Sequence, residues 1–429
     1  MCFSGFVTAP ILPKWLRIAT VAVKYFLILE AGMAAEVLTR KLRLLAAISV
    51  SVFAMVGAAV MAQETGSGPE IEAGTDTGQP VFIMPRSGPF APQSIAIPNA
   101  RVIARWAESG HSDATAEAFR HWDADGAIEP VCSVCHSSVG FRSFYGLDGS
   151  APGVPESPVP IGGVVDCETC HNPNIGTIAE VSLPSGVMHP VAGVEAACVT
   201  CHSGRASGAD VSKATTDLPE DEVSGDLRFI NPHYFLGASI SLGGYGQVGY
   251  QYPGKTYSGR FLHAKPVATC LSCHDPHNLK IDETTCLTCH TNGNPEEIRI
   301  SRFSFDGSGD ATKGIHDDIV ANADLLMKTI KEYAANVLGT PLAYDGTRYP
   351  YFFADANGDG VIDEAEGRPV AYNAWTPRLL KATFNWKAVA ADPGAFAHNP
   401  PYVLELLYDS IEDLSGPLGV DMASRGLLR

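Results

Sequence analysis

Apolar residues are spread unevenly along the chain. Leu44 to Val60 is an almost unbroken apolar run, preceded by Arg40, Lys41 and Arg43 and followed by Val60-Met61-Ala62 ahead of Gln63. A basic stretch, an apolar run and small residues at a cleavage point predict a secretory signal peptide over residues 1–62. Met33 makes a sensible start for it, leaving residues 1–32 as an upstream extension. The competing reading is a retained membrane anchor, and the run is shorter than the roughly 20 residues that span a bilayer. Residues 63–100 are rich in Gly, Pro, Ser and Thr without periodicity and predict a flexible lead. Val102, Ile103 and Trp106, then Ala116, Ala118 and Phe119, predict one or two helices between Asn99 and Trp122.

Over residues 101–290 the helical period fades. Gly- and Pro-rich stretches at 146–163 and 237–259 predict irregular loops, so something other than secondary structure must supply a core there. The pattern returns in residues 291–429. Apolar positions at helical spacing predict helices over Ile319–Val337, Pro377–Val389 and Tyr402–Ile411, with a loop between residues 340 and 376. The expected fold class is mainly α with extensive irregular loops.

Cysteine usage changes the picture most. Of the 11 cysteines, all but Cys2 fall in five copies of Cys-x-x-Cys-His. These are Cys132–Cys135–His136, Cys167–Cys170–His171, Cys198–Cys201–His202, Cys270–Cys273–His274 and Cys286–Cys289–His290. Two thiols three positions apart lie on one face of a helical turn, placed to add to the two vinyl groups on one edge of a porphyrin. The adjacent His then offers its imidazole to the iron, which predicts five covalently attached haem c groups. Zinc would need Cys pairs in even number, and a disulfide scaffold would not require His at each site. The gaps between motifs are irregular, which argues against a solenoid. Five porphyrin plates would supply the core that residues 101–290 lack, and the apoprotein of that region is expected to be unfolded.

Eight further His could complete the irons: His111, His121, His189, His233, His263, His277, His316 and His398. Met84, Met188, Met327 and Met422 stand in no clear ligand setting, so the supply favours iron between two His. His277 lies too near His274 to serve the same haem and is expected to reach a neighbour. His263, His233 and His398 are good candidates, and His111 competes with His121 for the first haem. His189 and His316 rank behind them.

The chain resembles a family of secreted bacterial multihaem c-type cytochromes. The resemblance runs from about Ser109 to Leu414, through Ser109-Gly110-His111, residues 116–123 (AEAFRHWD), the five motifs, Asn231-Pro232-His233-Tyr234, Cys273-His274-Asp275-Pro276-His277 and residues 397–402 (AHNPPY). It implies a multihaem core at 101–290 and electron transfer in a respiratory chain. Some relatives assemble into filaments in which one subunit supplies a haem ligand to the next. The Lys-for-His attachment variant at the catalytic haem of multihaem nitrite reductases is absent from all five sites here, which lowers the enzyme reading.

Residues 355–366 (DANGDGVIDEAE) match an EF-hand-like calcium loop. Asp355, Asn357 and Asp359 would give side-chain oxygens, Val361 its carbonyl, Asp363 a ligand or bridged water, and Glu366 both carboxylate oxygens, with Gly360 at the sharp turn. A poorer copy starts at Asp306 (Ser308, Asp310, Thr312, Asp317), with Ala311 in place of the glycine. Outside the cytoplasm such a loop reads as a permanent clamp on the C-terminal part rather than a sensor.

Formal charge is −17, and because residues 1–62 carry six basic and two acidic groups, the remainder carries −21. That excludes a nucleic-acid binder working by phosphate neutralisation and predicts basic partners docking in a salt-sensitive way. Three functions fit, in order. The first is a periplasmic or extracellular electron carrier between a quinol-oxidising membrane donor and a downstream cytochrome or terminal acceptor. The second is a protomer of a cytochrome filament or complex, and the third a multihaem oxyanion reductase with one open iron.

Overall fold

The computed structural model describes residues 99–429. The expected signal peptide, and the expected lead up to residue 98, lie outside the described residues. Helices Ile315–Asn336, Pro377–Ala390 and Pro400–Leu418 form the C-terminal bundle where the apolar periodicity places them. Two of them start on strong local signals. The Thr376 hydroxyl accepts from the Leu379 N–H with Pro377 in the first turn, and the Asn399 side chain accepts from the Tyr402 N–H with Pro400 following. Gly419, at φ +68°, closes the last helix in the left-handed conformation that glycine tolerates.

Leu326, Ile330, Tyr333, Leu380, Phe384, Tyr402 and Leu406 are fully buried between these helices. Asn385 rivets the bundle to a distant segment: it accepts from the Tyr250 N–H at 2.6 Å and donates to the Tyr250 carbonyl and Ser410 hydroxyl at 3.0 Å. Asp318, also buried, accepts from the Phe305 N–H and pairs with Arg299 at 2.8 Å.

Residues 237–259 were expected to be irregular, yet Gly237–Gly246 is a helix, kinked where Gly243 has φ +55°. Burial of Leu236, Ile240 and Leu242 outweighs the poor helix propensity of its glycines. The same core takes in Val211, Leu227, Phe229, Val248 and Tyr250, so residues 211–250 pack with the C-terminal helices despite lying among the Cys-x-x-Cys-His motifs. The 340–376 loop is also more ordered than expected. Strands Leu342–Tyr344 and Phe352–Ala354 pair antiparallel with Leu342 opposite Ala354, and Glu364–Ala365 pairs with Arg368–Pro369. The acidic 355–366 loop is thus bounded by strands and not by the helices of an EF-hand, because Phe352 and Phe353 are buried on pairing.

The motif-bearing part is built differently. From residue 251 to residue 303 no hydrophobic residue is fully buried, with Tyr252 and Tyr257 packing only partly against the bundle core, and the helix Ala100–Ala107 buries none. A small second cluster, including Phe141, Val181, Leu183, Ala196 and Val199, is the apolar core around the first three motifs. Among the described residues no helix is long and apolar enough to cross a membrane.

Candidate haem-binding site

Each motif sits on or at the end of a helical turn, and local signals place it there. Helix Pro130–His136 carries the first, with Pro130 in its first turn. Asp166 caps Cys167–His171 by accepting from the Thr169 N–H, and Arg142 holds that carboxylate at 2.9 Å. Helix Glu195–Cys201 carries the third. Thr269 caps the 3-10 turn Cys270–Ser272, and Asp282 caps Glu283–Leu287. None of the ten motif cysteines pairs in a disulfide.

The five motifs open onto one continuous cavity of about 3310 Å³, lined by all ten thiols and all five motif histidines. An ordinary small-molecule pocket has roughly 300–1,000 Å³, so the space suits several large groups. Across it, each motif histidine faces one other histidine. Ring centres are 5.8 Å apart for His136–His233, 6.1 Å for His171–His277, 6.3 Å for His202–His111, 6.2 Å for His274–His398 and 6.3 Å for His290–His263. Two imidazoles on opposite sides of one iron should stand about 6 Å apart, from metal–nitrogen bonds of about 2 Å and about 1 Å more to each ring centre. The donor set therefore fits haem c at every motif: two thiols, a proximal ring and a second ring at trans spacing.

Several of these rings are oriented through their other nitrogen. His136 Nδ1 lies 2.8 Å from the Ala118 carbonyl and His202 Nδ1 3.0 Å from the Phe235 carbonyl. His398 Nδ1 lies 2.8 and 3.0 Å from the two oxygens of Asp392. An acceptor at Nδ1 fixes the proton there and leaves the Nε2 lone pair for a metal. Burial, with the neighbouring His202 ring, holds His111 down to about 4, and burial, with His136, holds His233 down to about 4. These rings are the free base that a metal needs. Burial opposes charge on His398 too, but Asp392 outweighs it and raises that ring above the ordinary histidine value.

The remaining histidines face no motif ring. His121 lies against the Glu117 carboxylate at 2.9 Å, His189 is buried against Tyr245 with Nδ1 unpartnered, and His316 packs on Phe396. Neither His111 nor His121, the two candidates for the first motif, faces its histidine. His233 faces the first motif and His111 the third, with the His111 carbonyl accepting from the Val165 N–H at 3.0 Å ahead of the second motif. His277 faces the second motif, not its near neighbour the fifth.

Thiols of different motifs also meet. Cys135 lies beside Cys201, and Cys198 beside Cys270. Cys170 lies within electrostatic reach of Cys198 and Cys201, and Cys273 within reach of Cys286. The third motif thus touches the first and fourth, with the second close by, and the fifth adjoins the fourth. Arg205 stands beside Cys132, His136 and His233, a cation at the first site that the spacing of Cys and His gave no means to find.

In the acidic loop the two oxygens of buried Asp355 accept from the N–H groups of Asp359 and Gly360, and Asp363 accepts from Ala356 N–H. Glu366 sits at φ +55° in the turn between the short strands. Among the described residues no three His, Cys, Asp or Glu side chains converge on one metal position. In the 306 loop Lys313 pairs with Asp306, setting an amine where a cation would go.

No protein-family model matches the chain, and neither does any solved structure. Curated relatives do. The C-type polyheme cytochrome OmcB of Geobacter sulfurreducens is 27% identical over 377 residues, covering 70% of this chain and 46% of the relative. The C-type polyheme cytochrome OmcC of the same species is 26% identical over 383 residues, covering 71% of this chain and 45% of the relative. The chain spans about half the length of these curated relatives. With five Cys-x-x-Cys-His motifs on one cavity and this similarity across most of the chain, it is homologous to the C-type polyheme cytochromes OmcB and OmcC.

Proposed function

We propose that this chain is a periplasmic or extracellular electron-transfer protein carrying five haem c groups, each iron held between its motif histidine and one distal histidine. The observation that carries the reading is the set of five histidine pairs, all at 5.8–6.3 Å between ring centres. Bound haem c supplies a one-electron iron couple at each site. The chain's part is to hold and space these sites. Thiols would fix one porphyrin edge, and carbonyls and Asp392 aim the rings. With the thiol contacts as guide, the sites run first–third–fourth–fifth, with the second branching from the third.

The pairs also weigh against the other two functions. Every motif histidine has a partner within this chain, so no ligand needs to come from a second subunit, and no site is left with an open position for substrate. The partners proposed are redox proteins: a quinol-oxidising membrane donor and a downstream cytochrome or terminal acceptor, reached through an acidic surface. The purified protein should contain five haems per chain by mass and haemochrome assay. Its ferric spectrum should be low-spin throughout. A high-spin fraction that binds carbon monoxide in the untreated protein would replace this reading by the reductase.

We also propose that the 355–366 loop takes calcium, with Asp355, Asn357, Asp359, the Val361 carbonyl, Asp363 and Glu366 as ligands. Support comes from the filled pattern and from charge. Among the described residues no Lys or Arg pairs with Asp355, Asp359, Asp363 or Glu366, in contrast to Lys313 on Asp306. Strand flanks suit a fixed clamp and not a helix-opening sensor.

A further inference from the structure

Of the ten rings that make up the five pairs, His398 alone has a carboxylate at Nδ1. The others with a partner there meet a backbone carbonyl, as His136 and His202 do. Asp392 is buried, and it is held in place independently of His398: its Oδ1 accepts from the Gly394 N–H at 3.1 Å, and its own N–H binds the Val389 carbonyl at 3.1 Å. The carboxylate is therefore anchored at the end of the helix Pro377–Ala390 and aimed at the ring.

A ring that donates its N–H to a carboxylate becomes a more basic, more electron-donating ligand than one that donates to a carbonyl. Stronger donation favours ferric over ferrous iron, and second-ring hydrogen bonding and burial are among the means by which a protein sets a haem potential. Position gives this a consequence. The fourth motif touches the third through Cys270 and Cys198 and adjoins the fifth through Cys273 and Cys286.

We propose that Asp392 is a positioning residue that makes the iron between His274 and His398 the lowest-potential centre of the five, an uphill step separating the first three sites from the fifth. This rests on the ligand pairs proposed above.

Redox titration of the holoprotein, followed by visible and EPR spectra, tests it. In Asp392→Asn the lowest of the five midpoints should rise by at least tenfold in its one-electron equilibrium, about 59 mV, with the haem still low-spin. Asp392→Glu should restore most of it, and Glu117→Gln, which frees His121 from its carboxylate, should move none. Five unchanged midpoints in a low-spin Asp392→Asn protein overturn the proposal and leave the ligand pairs standing. A high-spin haem in that variant also overturns it, making Asp392 a structural anchor. If Asp392→Asn does not fold, the ferric EPR of the unsubstituted protein decides: one low-spin species with the stronger field of an imidazolate-like ring supports the proposal, and five alike overturn it. His398→Ala separates the two layers, because failure to turn one haem high-spin overturns the pair His274–His398 itself.

Discussion

At the scale of single residues, the candidate site comes down to five pairs of facing imidazoles. Burial holds His111 and His233 at about 4, against 6.5 for an exposed ring. The sign of the pH effect follows. Between about 6.5 and 4 the unfolded chain binds protons at these rings and the folded chain does not, so stability falls as the pH is lowered through that window. Acid titration followed by circular dichroism should show stability declining from about pH 6.5 downward; an unchanged melting temperature down to pH 4 would contradict it. The motif residues were plain in the sequence because attachment is local: two thiols and a ring on one turn. The partners were not. His277 and His263 stood among the candidate ligands, but nothing in spacing said that His277 faces the second motif. Asp392, six residues before His398, gives no pattern of its own.

Among the elements, the C-terminal helices follow local rules, with Thr376-Pro377 and Asn399-Pro400 starting two of them. The helix Gly237–Gly246 does not: its glycines argue against it and only the burial of Leu236 and Ile240 brings it in. The acidic loop is an intermediate case. Its donor pattern was legible, but its strand flanks came from pairing Phe352–Ala354 with Leu342–Tyr344. If the loop binds calcium, a chelator should lower the melting temperature and added calcium restore it. Asp359→Ala should abolish that calcium response while leaving the haem spectrum intact. Equal melting with and without chelator would leave the loop a solvated acidic turn.

For the whole molecule, two kinds of interior lie in one chain. The helical bundle with residues 211–250 has an apolar core, whereas residues 251–303 add no fully buried hydrophobic residue. A stretch that long without a fully buried hydrophobic residue has little stability of its own beyond what fills the cavity. Haem-free protein, made with the motif cysteines replaced by serine, should therefore exchange its amide hydrogens freely over 251–303. Protection should persist in Ile315–Asn336, Pro377–Ala390 and Pro400–Leu418. Equal protection in both parts would show that the polypeptide alone holds the motif region.

What the sequence by itself determined is local chemistry: five attachment turns, the starts of the long helices, an acidic loop and a surplus of negative charge. Each depends on residues within a few positions of one another, so spacing expresses it directly. Tertiary structure alone decided which distant histidine faces which motif, which thiols meet, and that Asp392 stands behind His398. Most of the histidine pairs join segments roughly a hundred residues apart, and even Asp392, near His398 in sequence, is aimed by the turn between two helices. All these distances are set by how the chain packs around one shared cavity.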